Sequence, residues 1–126
     1  HRASVLDVVR LRTQLAKAGL DVTVSYTGGV FLDVLPRLAG KGNALAWLCR
    51  RIGVPLEHVL VAGASGNNSG TFALPGVRGI IVSNASCELF ATAGPFRPLV
   101  TLEKMADGVL AGLRHFGVLE TVGTLV

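Results

Sequence analysis

The sequence predicts an α/β domain: part of a parallel sheet with flanking helices, preceded by a helix and a β-hairpin. Three observations carry this. Short apolar runs, Val59–Ala62 and Ile80–Val82, alternate with amphipathic helical patterns, which is the texture of a parallel sheet. Two alternating segments flank Thr27-Gly28-Gly29, a hairpin signal. No internal repeat or low-complexity tract interrupts the pattern.

The first helix is predicted over Ala3–Ala18, with Val5, Val8, Val9, Leu11 and Leu15 as its apolar stripe and Gly19 as its stop. Asp21–Tyr26 alternates, Val22 and Val24 pointing one way and Thr23 and Ser25 the other. Val30–Leu35, ended by Pro36, is the second hairpin strand. Lys41–Ile52 is an amphipathic helix whose apolar face is Ala44, Leu45, Leu48, Cys49 and Ile52, with Gly53 as its stop. A buried strand follows over His58–Ala62, then a short helix over Ser69–Ala73 and a strand over Val77–Ser83. Ser86 caps a helix reaching Ala93. Two prolines and a glycine make Gly94–Pro98 extended loop. Thr101 is expected to cap the last helix, with Leu102, Met105, Ala106, Val109, Leu113 and Phe116 buried and Gly117 as its end. The tail from Leu119 to Val126 carries little pattern.

At 126 residues, half of them hydrophobic and 16% charged, the chain reads as a globular domain or part of one. No apolar run reaches the ~18 residues that span a bilayer, and no membrane partner is expected. The net charge of +4 comes from scattered basic residues. Arg50-Arg51 falls in a helix's last turn, where it complements the dipole, so nucleic acid is not expected as a partner. Cys49 and Cys87 have no metal-ligand spacing and read as reduced thiols of a cytoplasmic protein. The chain opens on His1-Arg2, as a processed product or a piece of something longer would.

The segment Gly63-Ala64-Ser65-Gly66-Asn67-Asn68 runs out of an apolar strand, where α/β proteins place their sites, yet it holds no charge. It resembles the acidic metal loop of haloacid-dehalogenase-superfamily phosphatases, Gly-Asp-Ser-Gly-Asn-Asp, with Ala64 and Asn68 in place of the two aspartates. Leu32-Asp33-Val34-Leu35-Pro36 followed by Gly40-Lys41-Gly42-Asn43-Ala44-Leu45, then Gly79–Ala85 and Gly108–Gly117, extends the resemblance to the sucrose-phosphate phosphatase subfamily, over roughly Ala3 to Leu119. The fold it implies is the C-terminal half of a haloacid-dehalogenase-like core over 39–126, preceded over 1–38 by the end of a sugar-selecting cap.

The resemblance also implies a chemistry. An aspartate of an Asp-x-Asp segment attacks phosphate, its partner acts as acid and base, and Mg²⁺ offsets the crowded charge. This sequence has no Asp-x-Asp. Lys41 matches the phosphate-steadying lysine. It also stands in a helix's first turn, opposing the dipole by about 0.3–1 kcal/mol, a conflict that a phosphate at that helix end relieves. Gly63, Ser65, Gly66 and Asn67 are the candidate phosphate loop, or equally a folding turn in which Ser65 and Asn67 make local backbone bonds. Alanine offers Mg²⁺ no ligand and asparagine only a neutral oxygen, so no metal is expected on this chain although the family uses Mg²⁺.

Asp33 could face substrate or solvent, and Asp21 and Asp107 form no pair with it. His58 and His115 sit at ordinary structural positions. Ser65 lacks the Gly-x-Ser-x-Gly setting of a hydrolase nucleophile. The expected function is a non-catalytic, sucrose-phosphate-phosphatase-like domain, the C-terminal portion of a larger protein such as a sucrose-phosphate synthase. The alternative is a fragment of an active Mg²⁺-dependent phosphatase acting on sucrose 6-phosphate or a similar phosphosugar. Expected partners are the missing N-terminal half or a second copy, with a sugar phosphate as ligand. A self-associating interaction domain without ligand is the third class.

Overall fold

The computed structural model describes residues 4–27 and 29–120. Gly28 of the expected hairpin turn, the start of the expected first helix at Ala3, and the end of the tail (121–126) lie outside the described residues.

Ser4 opens α1 (Val5–Lys17) with reciprocal bonds: its Oγ accepts from Asp7 N–H (3.2 Å), and the Asp7 carboxylate accepts from Ser4 N–H (2.8 Å). Gly19, at φ +71°, lets the chain leave the helix. The expected apolar stripe is only partly covered. Val8 is buried, but Val5 and Val9 are 71% and 52% exposed. What ties α1 down is Arg12, whose Nη2 donates to Val24 O at 2.8 Å.

β1 (Val22–Thr27) and β2 (Phe31–Pro36) pair antiparallel, with Thr23 opposite Leu35 and Ser25 opposite Asp33. Alternation sends Val24 to the α1 side, where it is buried, and Thr23 and Ser25 to the other face. α2 (Lys41–Ile52) has the predicted bounds, ends at Gly53 in the left-handed region, and carries Arg50 and Arg51 in its last turn. Cys49 is buried as expected, while Trp47 and Ile52 are each 60% exposed.

β3 (Leu60–Gly63) begins later than the expected strand. Leu56–His58 form a 3₁₀ turn after Pro55, and Val59 N–H bonds Leu56 O (3.0 Å), so His58 belongs to the turn rather than to the strand. α3 (Ser69–Phe72), β4 (Arg78–Ile81) and α4 (Cys87–Ala93, capped by Ser86) follow close to the expected positions.

Two expectations fail between α4 and the last helix. Gly94–Phe96 is a 3₁₀ turn started by Pro95, and Leu99–Val100 form a short strand, β5, alongside β4. Thr101 is not a helix cap: it is buried, and its N–H bonds Ile81 O (2.9 Å), continuing the β5 ladder. α5 (Met105–His115) starts later, with Lys104 at the N-cap position and Asn84 Oδ1 accepting from Met105 N–H (2.9 Å). Leu102 and Met105 therefore lie at the surface, 92% and 72% exposed, rather than on a buried face.

The sheet order is β3-β4-β5, all parallel. On one face Ile81 packs with Phe72, Leu89 and Ala93, joined by Val61 and Phe90. On the other, Ile80 and Val82 lie beneath α5. Gly108 and Gly112 let that helix settle onto them: a Cβ at Gly112 would stand 2.6 Å from Ile80, and one at Gly108 2.7 Å from Val82.

Candidate functional site

The loop after β3 and the first turn of α2 meet at the carboxyl end of the sheet, where parallel α/β folds place their ligands. The meeting depends on two glycines. A Cβ on Gly42 would collide with Gly70 O and lie 2.7 Å from the Gly70 carbonyl carbon, so α2 and α3 touch backbone to backbone. That contact sets Lys41 over the loop.

Lys41 Nζ donates to Asn67 Oδ1 at 3.5 Å. The Asn68 amide, oriented so that its nitrogen donates to Ser65 Oγ and Ser65 O (both 3.2 Å), offers its oxygen to Lys41 Nζ at 3.1 Å. Ser65 Oγ in turn donates to Asn67 Oδ1 (2.6 Å). Lys41, Ser65, Asn67 and Asn68 thus form one network, in which the ammonium is met by neutral amide oxygens. Among the described residues the side-chain ion pair is Arg37–Asp21, away from this network.

The loop is braced from below. Ser86 N–H bonds Ala64 O (2.8 Å), Ser69 Oγ bonds Gly66 O (2.7 Å), and Thr71 Oγ1 bonds Asn68 O (2.7 Å). Glu88 packs over Gly66, where a Cβ would stand 2.8 Å from its Cγ. Asn43 Nδ2 bonds Arg37 O (3.1 Å), tying the hairpin's exit to the start of α2.

Between loop and hairpin lies a cleft of about 570 Å³. Thr23, Ser25 and Asp33 line it on the hairpin side; Lys41, Asn43 and Asn67 line it on the core side. Of the sequence candidates, Lys41, Gly66 and Asn67 line the cleft, Ser65 supports Asn67, and Gly63 sits against Asn68 (2.9 Å from a Cβ to Asn68 Cβ). Asp33, left open by the sequence, faces the cleft. Of the local backbone bonds expected of Ser65 and Asn67, Ser65 makes one, its carbonyl accepting from Asn68 N–H (3.0 Å), whereas Asn67 bonds side chain to side chain with Ser65 and Lys41. His115 stacks edge-on with Phe116 (5.1 Å between centroids) and Asp21 pairs with Arg37; neither lines the cleft.

Sequence reasoning missed Asn43, Gly70 and Glu88, whose places depend on tertiary contact. It missed Thr23 and Ser25 as lining residues too, although their shared face was legible from the alternation.

The family model for sucrose-6F-phosphate phosphohydrolase matches residues 1–117. The chain belongs to that family. It is 39% identical over 118 residues to the mannosylfructose-phosphate phosphatase of Agrobacterium fabrum, covering 93% of this chain and 48% of that protein. With sucrose-phosphatase 1 of Nicotiana tabacum it shares 39% identity over 114 residues, 84% of this chain and 27% of the relative. The sucrose-phosphatase of Synechocystis, solved with sucrose and phosphate, superposes with a TM-score of 0.83 at 31% identity, over 92% of this chain and 48% of that one. The chain thus spans half or less of the length of these relatives, and the resemblance drawn from its motifs holds at family and fold level.

Phosphatases of this superfamily are generally Mg²⁺-dependent. The donor set of this chain's loop fits that ion poorly. Mg²⁺ demands hard oxygens in octahedral array, commonly one or two carboxylates. Ala64 presents a methyl group, and the Asn67 and Asn68 oxygens already accept from an ammonium, which repels a second cation. Among the described residues no group of three His, Cys, Asp or Glu side chains gathers that could hold a metal. Nor is any described helix long and apolar enough to cross a membrane.

Proposed function

We propose that this chain is the phosphosugar-binding part of a non-catalytic, sucrose-phosphatase-like domain within a larger cytoplasmic sugar-phosphate protein such as a sucrose-phosphate synthase. Residues 1–38 contribute to its cap and 39–126 to its core. The observation that carries the reading is the Lys41–Asn67–Asn68 network: a cation at a helix start, held by neutral amides, facing a cleft. A phosphate there gains the charge of Lys41 and the α2 dipole and displaces no carboxylate. The hydroxyl and carboxylate groups of Thr23, Ser25 and Asp33 stand across the cleft, suited to hydrogen-bonding a sugar. The relatives' names put a phosphorylated fructose-containing disaccharide first among candidate ligands.

Binding without turnover follows from the loop chemistry. With Ala64 and Asn68 where carboxylates are expected, the Gly63–Asn68 segment itself offers Mg²⁺ no anionic ligand. The test is calorimetric titration of sucrose 6-phosphate in EDTA and in Mg²⁺, with phosphate release followed in parallel, on this chain joined to the part of the Synechocystis sucrose-phosphatase outside the match, where the resemblance places the Asp-x-Asp segment that this sequence lacks. Equal affinity in both buffers and no release support the reading; Mg²⁺-dependent binding with release refutes it. The competing reading, a contributor to an active phosphatase, draws on the placement of Lys41 above the loop and predicts that second result.

A further inference from the structure

Among the residues that line the cleft, two are charged, and they stand on opposite walls: Lys41 on the core side and Asp33 on the hairpin side. Asp33 lies directly opposite Ser25 in the hairpin register, so carboxylate and hydroxyl project side by side from the cleft face. This carboxylate is unspent. Asp7 is engaged by Ser4 and Asp21 by Arg37, whereas among the described residues nothing bonds to or pairs with Asp33. A carboxylate accepts hydrogen bonds and donates none. What it meets on a bound ligand must therefore be a donor, such as one sugar hydroxyl for each oxygen. A second phosphate or an acid group at that end of the ligand brings acceptors and a like charge, which is the repulsive element that specificity commonly uses. The other wall asks for the reverse, because Lys41 and the start of α2 favour an anion.

We propose that Asp33 is the specificity-determining residue of this cleft: it admits phosphosugars whose one phosphate is their only anion and whose far end is an uncharged polyol, and it refuses bisphosphates and sugar acids. The proposal rests on the phosphosugar reading given above and goes beyond it in naming which phosphosugars are refused. It does not depend on whether the loop holds a metal, since the selection is made at the opposite wall.

The test is calorimetric titration of the full chain in EDTA at low salt. Fructose 6-phosphate and fructose 1,6-bisphosphate are the probes, differing by one phosphate at the far end of the sugar, and sucrose 6-phosphate is the reference. The unaltered chain should bind the monophosphate about tenfold more tightly than the bisphosphate. Added salt should narrow that gap. Asp33→Asn keeps the shape and removes the charge at an exposed strand position, so the fold is undisturbed. It should bring the bisphosphate to within about threefold of the monophosphate, by strengthening the former more than it weakens the latter. Lys41→Met should weaken both. Monophosphates that bind through Lys41 while the bisphosphate binds as tightly, or a ratio that Asp33→Asn leaves unchanged, would overturn the proposal and leave the phosphosugar reading standing. If neither sucrose 6-phosphate nor fructose 6-phosphate binds, or Lys41→Met leaves their binding unchanged, the reading itself falls and the proposal with it.

Discussion

Gly42→Ala perturbs the contact that places Lys41. The added Cβ would lie 2.7 Å from the Gly70 carbonyl carbon, and closer still to its oxygen, where ordinary carbon contacts sit at about 3.5–4.0 Å. Both partners are backbone, so no rotamer relieves the clash, and α2 and α3 must part by about 1 Å. Overpacking of this kind costs about 1–3 kcal/mol. Replacing glycine by alanine in a helix returns up to about 1 kcal/mol. The net loss expected is about 1–2 kcal/mol, a fall in Tm of about 4–8 °C for a domain of this size. The same movement stretches the Lys41–Asn67 bond beyond its 3.5 Å, and sucrose 6-phosphate affinity should fall about tenfold, or ~1.4 kcal/mol. Gly66→Ala is the control: the atoms nearest its Cβ belong to the exposed Glu88 side chain, which can swing aside, so its Tm should fall less. Thermal unfolding and calorimetry check both variants. A Gly42→Ala protein with unchanged Tm and unchanged affinity would refute the reasoning that backbone contact sets the lysine.

Lys41→Met should weaken sucrose 6-phosphate binding by about 10- to 100-fold, the worth of a charged hydrogen bond, with no comparable loss of Tm. Added salt should weaken binding to the unaltered chain and leave the variant's residual binding little changed, as titration at two ionic strengths would show. Asp7 is held below the usual carboxylate value of 3.8 by the Ser4 backbone N–H and then by the Ser4 hydroxyl. Its contribution to stability is therefore full above that value and is lost as pH falls through the lowered one. Asp7→Asn should flatten the acid limb of a Tm-versus-pH curve, and an unchanged acid limb would count against the α1 cap. Gly112→Val should destabilise the domain by about 1–3 kcal/mol, because the side chain meets Ile80, itself fully buried; chemical denaturation measures it.

What was legible in the sequence was local. Periodicity gave α2 to the residue, because Gly40 and Gly53 punctuate it, and the hairpin pairing, because alternation and glycine agree. The Gly63–Asn68 loop stood out because an apolar run ended in it and because it resembles the family's metal loop, and Lys41 because it matches the phosphate-steadying lysine of that resemblance and opposes the helix it starts; the structure brings Lys41, Gly66 and Asn67 to one cleft. The misses arose where tertiary contact overrode local preference. Thr101 resembles a cap, but pairing with Ile81 holds it in the sheet and Asn84, 21 residues upstream, satisfies the helix start instead. β5 is two residues long among prolines, too short for any period to declare it. Leu102, Met105, Val5 and Val9 follow helical apolar spacing, yet no described element packs over them. Asn43 and Glu88 reach the site through the Gly42–Gly70 and Gly66 contacts, which exist only once the chain has folded.

The central claim is that the Gly63–Asn68 loop receives an anion and does not hold Mg²⁺. The most direct measurement follows the backbone amide shifts of residues 63–68 during Mg²⁺ titration of the unaltered chain and of an Ala64→Asp/Asn68→Asp variant. The account predicts saturable shifts in the variant and none in the unaltered chain at millimolar Mg²⁺. Saturable, chelator-reversible shifts in the unaltered loop would contradict it.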